Sequence, residues 1–498
     1  MSGIEVLQKD PDLIAATIFQ RVAQSLERHP MDLREYFQQA WPLILPNREL
    51  VASWHIDLIL EHLAAVDNGD IRRLVINIPP RSLKSSLVSV AWPTWSWTEK
   101  PWLKWVFSSY AAALSEKHSL DRRRVIESPW YQERWGDTTC LESDQNRKSE
   151  FQNTQGGVMI ATSVGGSITG KGGDRVVVDD IMNPEQAESS AERESAIRYF
   201  QATLSTRLDN KKTGVMVVIE QRTHHLDLTG TILREGGWTH LCVPAQSPTR
   251  TVVKYPLSGR EVIREEGSVI CEQREDVATL TEQKTAMGSR AYAAQYQQDP
   301  HPEDSGYFRD AWWRYYKMLP VDDFVSYWAW DMAAEEGQEN DYTVGILLTH
   351  GARGTYVMRV RRGKWQYPEA KRVVMEEWMA NPGTALLIED TSAGKSLAQD
   401  LQRNSNLPVI PVPISKDKSV RAALTSPYVE SGRVFLPDEA GWLAEFKEEL
   451  SLFPQSQHDD QTDAFTLGMN HFYQGPSRPL AAMSGQDMPF SIPKPDWL

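Results

Sequence analysis

The segment Leu74 to Ser86, LVINIPPRSLKSS, constrains this chain more than any other. A short apolar strand runs into Pro79-Pro80-Arg81 and then Lys84-Ser85, and an apolar segment with helical character follows. A strand, turn and helix in this order aim backbone N–H groups and a helix N-terminus at anionic oxygens. In a phosphate-binding loop a lysine reaches the β- and γ-phosphates of a nucleoside triphosphate, and a serine hydroxyl meets Mg²⁺. Lys84 and Ser85 stand where those two roles require, with Arg81, Ser82, Leu83 and Ser86 completing the loop.

The strict pattern G-x-x-x-x-G-K-[ST] is not met, because Ile78 and Leu83 occupy its glycine positions. A closer match, GGSITGKG from Gly165 to Gly172, ends in glycine rather than Ser or Thr. A strand beginning at Arg175 follows at once and leaves no room for a helix, so this stretch reads as a glycine-rich loop between strands. The site is therefore expected at Lys84. A side chain at Leu83 restricts how the loop can turn.

Such a loop needs a second, acid-bearing strand, and Arg175 to Asp180, RVVVDD, supplies one. Asp179 is expected to hold Mg²⁺ through water and Asp180 to polarise the attacking water. A third strand, Gly214 to Glu220, leads into Gln221-Arg222. Polar groups at the C-terminal ends of parallel strands are where α/β folds sense their ligands. Gln221 and Arg222 are thus candidates for coupling γ-phosphate loss to movement, or members of an exposed polar loop. His224 and His225 lack partners at zinc-site spacing and read as loop residues.

The 498 residues suffice for two or three domains, and 41% hydrophobic with 24% charged residues is a soluble globular balance. No apolar run approaches the roughly 18 residues of a transmembrane helix, and the N-terminus lacks signal-peptide form. An intracellular protein without a membrane partner is expected. Three scattered cysteines, Cys140, Cys242 and Cys271, argue against a disulfide framework or a zinc site. The net charge of −14 leaves room for a nucleic-acid partner, since local basic strips suffice and acids around metals are neutralised when the metals bind. Arg122-Arg123-Arg124, Arg359 to Lys364 and Lys416 to Arg421 are such strips. The tryptophans from Trp92 to Trp105 read as packing residues rather than a base-stacking platform.

From Ser247 to Asp304 the chain is charge-rich with weak apolar periodicity, and a second domain begins near Phe308. Its strands deliver acids at their C-terminal ends: Phe324 to Trp330 leads to Asp331, and Ala385 to Ile388 leads to Glu389 and Asp390. FPQSQHDDQTDA then presents Asp459, Asp460 and Asp463 before an apolar helical segment, Phe465 to Phe472. Two Mg²⁺ or Mn²⁺ held about 4 Å apart activate water on one side of a phosphate and stabilise the leaving oxygen on the other. Carboxylate oxygens suit these hard cations. Asp331, Glu389, Asp459 and Asp460 are the candidate ligands; Asp463 is a further ligand or a helix-turn neighbour, and Asp341 and Asp390 rank lower.

With a P-loop motor first and an acid cluster second, the chain resembles the large terminase subunit of tailed bacteriophages, a DNA-packaging ATPase and nuclease. The likeness runs from about Trp54 to Phe472. It is carried by Pro79-Pro80-Arg81-Ser82-Leu83-Lys84-Ser85, Gly170-Lys171-Gly172 before Val176-Val177-Val178-Asp179-Asp180, and Gln221-Arg222 with Asp227-Leu228-Thr229-Gly230. It continues through Gln295 to Pro300 and through Asp331, Glu389 and His458-Asp459-Asp460-Gln461-Thr462-Asp463-Ala464.

The resemblance implies an α/β chain with an N-terminal ASCE-type P-loop ATPase domain and a C-terminal RNase H-like nuclease domain. The expected layout is an N-terminal helical region (1–44), the motor (45–246), a linker or subdomain (247–307), the nuclease (308–475) and a flexible tail (476–498). ATP and Mg²⁺ are the implied cofactors, with Mn²⁺ also possible at the nuclease site. Implied partners are double-stranded DNA, a small terminase subunit and the portal of the prohead, where the chain forms a ring in the host cytoplasm. The nuclease would cut concatemeric DNA through Asp331, Glu389 and Asp460, and Asp180 would act in ATP hydrolysis. Trp54-His55 lies where an adenine-contacting motif is expected, though a packed amphipathic helix explains His55 equally well. Arg122, Arg123, Arg124, Arg207 and Arg222 are unranked as an arginine finger. The alternatives are a translocase or helicase without nuclease activity and an integrase-like enzyme without a motor.

Overall fold

The computed structural model describes residues 31–168, 170–300, 306–333 and 342–474. They divide into two compact units. The first comprises the residues up to Ile181 with Arg198–Glu220 and Ile232–Arg274; the second comprises Met182–Ile197, Gln221–Thr231 and the residues from Glu275.

The first unit is built on an eight-stranded sheet. Its strands are β1 (Arg73–Asn77), β2 (Trp105–Ser109), β3 (Leu141–Asn146), β4 (Glu150–Asn153), β5 (Val158–Ser163), β6 (Arg175–Asp179), β7 (Val215–Glu220) and β8 (Thr239–Cys242). They lie in the order β3-β4-β5-β2-β6-β7-β1-β8. From β5 to β8 every pairing is parallel, while β3, β4 and β5 pair antiparallel. A parallel sheet covered on both faces demands near-continuous apolar strands. Leu74-Val75-Ile76 in β1 and Val176-Val177-Val178 in β6 meet that demand and are fully buried. Parallel pairing also brings the C-terminal ends of β1, β6 and β7 to one edge, with Asn77 beside Glu220 and Asp179 beside Ile219.

After β1 the chain turns and enters a π-helix, Ser86–Ala91, that continues as the α-helix Trp92–Glu99. Trp92, Trp97 and Trp105 are fully buried, whereas Trp102 is exposed. The stretch after β8 holds a two-stranded antiparallel ribbon, β9 (Thr251–Lys254) with β10 (Glu261–Arg264). Apolar periodicity is weak there because the ribbon has apolar residues on both faces. Val253 and Val262 pack on the core, while the cross-strand pair Val252 and Ile263 faces solvent.

The second unit holds a seven-stranded sheet of β11 (Arg314–Tyr316), β12 (Val325–Asp331), β13 (Thr343–Gly351), β14 (Gly354–Gly363), β15 (Ala385–Glu389), β16 (Val409–Val412) and β17 (Val434–Pro437). The order is β11-β17-β14-β13-β12-β15-β16. β12, β13 and β14 form an antiparallel meander, and β15 and β16 extend it in parallel from β12. Alternate residues of β12 face opposite layers. Trp328 and Trp330 pack with the helices Tyr367–Ala380 and Ser392–Asn404, while Ala329 packs with Leu467 of the helix Asp460–Gln474. Gly468 permits that close approach: a Cβ there would stand 2.5 Å from Leu348 Cδ1 and 3.1 Å from Ala329 Cβ. The helix begins at Asp460, so Asp460 and Asp463 lie in its first turn.

Candidate functional site

In the first unit the turn after β1 is strained where a ligand loop is expected. Arg81 and Leu83 adopt left-handed backbone angles, φ 60° and 63°, and Asp180 does so at φ 49°. Such angles disfavour residues with a Cβ, and non-glycine residues held there cluster at functional sites. Ser82 Oγ donates to Pro79 O at 2.8 Å, and the Arg274 guanidinium donates to Arg81 O, fixing the turn.

Lys84 is buried, and its Nζ lies 2.5 Å from Asp180 Oδ1. Ser85 Oγ donates to Asp179 Oδ1 at 3.0 Å, and Ser89 Oγ donates to Asp179 Oδ2 at 2.6 Å. Burial raises the pKa of Asp179, opposed by Lys84 and these two hydroxyls. His118 Nδ1 stands 3.5 Å from Asp179 Oδ2. Burial, reinforced by Lys117 and Arg122, lowers the pKa of His118 to about 3, so its ring is neutral. Arg122 is fully buried, donates to Ser89 O at 2.6 Å and stacks 3.7 Å over the Phe107 ring.

Ser89 and His118 are site residues that the sequence reading missed, and Arg122, named there in a basic strip and as a candidate arginine finger, is buried with its guanidinium on Ser89 O. Their spacing carried a signal: Ser85 and Ser89 are four apart, as are His118 and Arg122, the separation that stacks side chains on one helix face. His55 sits near the Ser82 backbone, its Nδ1 2.9 Å from Ser53 Oγ and its pKa lowered by burial to about 4. Trp54 Nε1 donates to Ile270 O at 3.0 Å. Lys171 of the glycine-rich stretch is tied to Glu150, in a loop between β5 and β6.

In the second unit, Asp331 ends β12 and Glu389 ends the neighbouring parallel strand β15, one residue past the paired Trp330 and Ile388. Asp460 and Asp463 reach the same place from the helix Asp460–Gln474. The pKa of Asp331 is raised well above the usual carboxylate range, first by burial and then by Glu389, Asp463 and Asp460. A side-chain hydrogen bond between Asp331 and Glu389 adds to that rise.

Two cations face the cluster from the helix Lys418–Glu430. Lys418 Nζ lies 2.8 Å from both oxygens of Asp459 and 2.7 Å from Asp463 Oδ2. Burial alone would lower the pKa of Lys418, and Asp463 with Asp459 overrides it and raises it well above the usual lysine range. Arg421 donates from Nη2 to Asp463 Oδ1 at 2.6 Å and approaches Glu389 Oε1 to 3.7 Å. Burial raises Asp463 to about 6 against both cations. Among the described residues no three His, Cys, Asp or Glu side chains form a ready-made metal cage. The donor chemistry nevertheless fits a hard divalent cation: carboxylate oxygens are crowded at strand ends, and the negative charge of its neighbours helps raise the pKa of Asp331.

A family model described as the terminase RNase H-like domain matches residues 328–472, the span that carries all of these acids. The structure is similar to the large terminase of a thermophilic bacteriophage, at 10% identity and TM-score 0.53, covering 84% of this chain and 99% of that one. The chain has the fold of a large terminase. It is also similar to the HK97 bacteriophage large terminase, at 12% identity over 81% of this chain and 89% of that one, TM-score 0.37. A third match is the large terminase nuclease of thermophilic phage G20c with bound zinc, at 16% identity over 32% of this chain and 94% of that one, TM-score 0.26. No curated protein matches the sequence.

The basic strips of this terminase fold are largely engaged within the protein. Arg359 and Arg361 meet Glu377 at 2.6 and 3.4 Å. Arg362 reaches Glu445 and Glu449 at 3.4 and 3.8 Å and lies 3.8 Å over the Tyr342 ring, with Lys364 at 4.9 Å from it. Lys416 pairs with Glu185. Among the arginines considered as a finger, Arg222 is clamped by both oxygens of Asp227 at 3.1 and 2.9 Å. Arg123 pairs with Glu127 at 3.2 Å, Arg124 with Asp121 at 3.1 Å, and Arg207 Nε donates to Thr203 O at 3.2 Å. Asp390 is exposed, and Asp341 and the tail 476–498 lie outside the described residues.

Proposed function

We propose that the chain is the motor and nuclease of a viral DNA-packaging machine. It hydrolyses ATP in the first unit to drive double-stranded DNA into a prohead, and cuts concatemeric DNA with divalent metal ions in the second. One observation carries this reading: a single chain with the large-terminase fold holds a strained P-loop whose lysine meets a strand-end carboxylate, and also an acid cluster at the strand ends of an RNase H-like unit.

In the motor, Lys84 exchanges Asp180 for the β- and γ-phosphates of ATP, and the released Asp180 accepts the proton of the attacking water. Ser85 and Asp179 would hold Mg²⁺, with Ser89 and His118 fixing the acid. In the nuclease, Asp331, Glu389 and Asp460 would hold Mg²⁺ or Mn²⁺, with Asp459 and Asp463 recruited as Lys418 and Arg421 turn toward DNA phosphates. Bound there, two such ions supply an activated water and a stabilised leaving oxygen. A small subunit that selects viral DNA, a portal and a ring of copies complete the assembly in the host cell. Among the described residues no helix is long and apolar enough to cross a membrane.

Paired variants test this. Lys84→Ala is expected to abolish ATP hydrolysis while still nicking plasmid with Mn²⁺, and Asp331→Asn to do the reverse. Normal hydrolysis by the first removes the motor assignment, and wild-type nicking by the second removes the nuclease assignment.

A further inference from the structure

The helix Asp460–Gln474 carries two of the proposed metal acids in its first turn, and the first backbone N–H groups of any helix have no partner within it. Here Glu449, on the separate helix Leu443–Leu452, takes two of them. Its Oε1 accepts from Gln461 N at 2.6 Å and Thr462 N at 3.0 Å, and its Oε2 accepts from Gln461 Nε2 at 2.7 Å. Glu449 is 7% exposed, and Gln461 and Thr462 are each 1% exposed. Burying a carboxylate is costly unless its hydrogen bonds are met. Burial raises the pKa of Glu449 to about 7 even against these bonds and Arg362. A side chain kept at such cost holds something in place, and an anion at the positive end of a helix suits that task.

Resting on the nuclease reading above, we infer that Glu449 is a positioning residue: it touches neither metal nor DNA, but locks residues 461 and 462 and so aims Asp460 and Asp463 on either side of them. Asp459 is linked to the same turn, because Asp463 N donates to Asp459 O at 2.8 Å. An apolar or neutral non-bonding residue at 449 frees the first turn and lets both acids swing. Glutamine keeps an oxygen for the two backbone amides.

The test uses the full chain without nucleotide and reads Mn²⁺ binding by calorimetry, amide hydrogen exchange at Gln461 and Thr462 before metal is added, and plasmid nicking. Outer partners of metal ligands typically govern affinity by about 10-fold or more, so Glu449→Ala is expected to weaken Mn²⁺ binding by at least ~10-fold and to lose protection of both amides. Glu449→Gln is expected to stay within ~3-fold of the parent with protection kept. Wild-type Mn²⁺ affinity in Glu449→Ala overturns the inference, as does a Gln variant no better than Ala. Should Glu449→Ala fail to fold, Gln461→Leu decides, since it deletes only the side-chain bond. A loss of ~3-fold in its Mn²⁺ affinity supports the role, and an unchanged titration ends it. Asp331→Asn separates this from the larger reading: if it titrates and nicks like the parent, the nuclease assignment itself has failed, whereas loss in Asp331→Asn with no change in Glu449→Ala removes only Glu449.

Discussion

Lys84 Nζ and Asp180 Oδ1 are 2.5 Å apart, so the cation expected to bind phosphate is neutralised by the acid expected to activate water. Nucleotide must therefore displace a carboxylate from the lysine before the site is competent. Replacing Asp180 by Asn removes that competitor and the proton acceptor together. Asp180→Asn is predicted to bind ATP-γ-S at least as tightly as the parent while hydrolysing ATP about 100-fold or more slowly, the scale of a lost general base. Calorimetry and phosphate release measure the two. Weaker nucleotide binding would show that the ion pair does not compete.

Leu83 stands at φ 63°, where glycine belongs and where a side chain costs about 1–2 kcal/mol. Its side chain also packs partly against the core. Leu83→Gly loses that packing but relieves the backbone, and is predicted to lie within ~1 kcal/mol of the parent in denaturant unfolding. Leu83→Val keeps an apolar side chain but adds a branch at an unfavourable angle, and is predicted to destabilise by about 1–2 kcal/mol. If Val is tolerated better than Gly, packing rather than backbone strain governs the loop.

His350 is buried beside Phe472, ring centroids 3.6 Å apart, with Nδ1 2.8 Å from Thr355 Oγ1. Burial, with His471 nearby, lowers its pKa to about 3. The unfolded chain takes up this proton below about pH 6.5 and the folded chain does not, so the stability present above that pH is lost as pH falls toward the folded pKa. Between about pH 7.5 and pH 5 this one group is predicted to account for about 1–2 kcal/mol of lost stability. His350→Gln is predicted to lose that much less over the same interval in urea unfolding. Equal losses in parent and variant would show that His350 titrates normally.

How much of this was legible in the sequence depended on where each signal lay. Apolar strands ending in acids stand out because burial on both faces forces continuous Val, Ile and Leu; β1, β6, β12 and β15, with Lys84, Asp179, Asp180, Asp331 and Glu389 at or just past their ends, could be read directly. Leu83 hid the loop from a strict glycine pattern, since a left-handed angle imposed on leucine leaves no mark in sequence. The inward placement of Arg122, Arg421 and Glu449 left no mark in the sequence for another reason. Each is a charged residue that looks solvent-facing on its own helix, and only tertiary packing turns it inward against Ser89, Asp463 or Gln461. Arg359, Arg361 and Lys418 read in the sequence as members of local basic strips, and in the fold they meet acids of their own unit.

The central claim is that one polypeptide contains two divalent-ion sites, one for fuel and one for cutting. Crystals of the full chain soaked with Mn²⁺ and ATP-γ-S, read by anomalous scattering, test it most directly. Manganese is predicted at two places: beside Ser85 and Asp179 with Lys84 turned from Asp180 to the nucleotide phosphates, and between Asp331, Glu389 and Asp460. Nucleotide bound with Lys84 still on Asp180, or no manganese among the three acids of the second unit, would contradict the account.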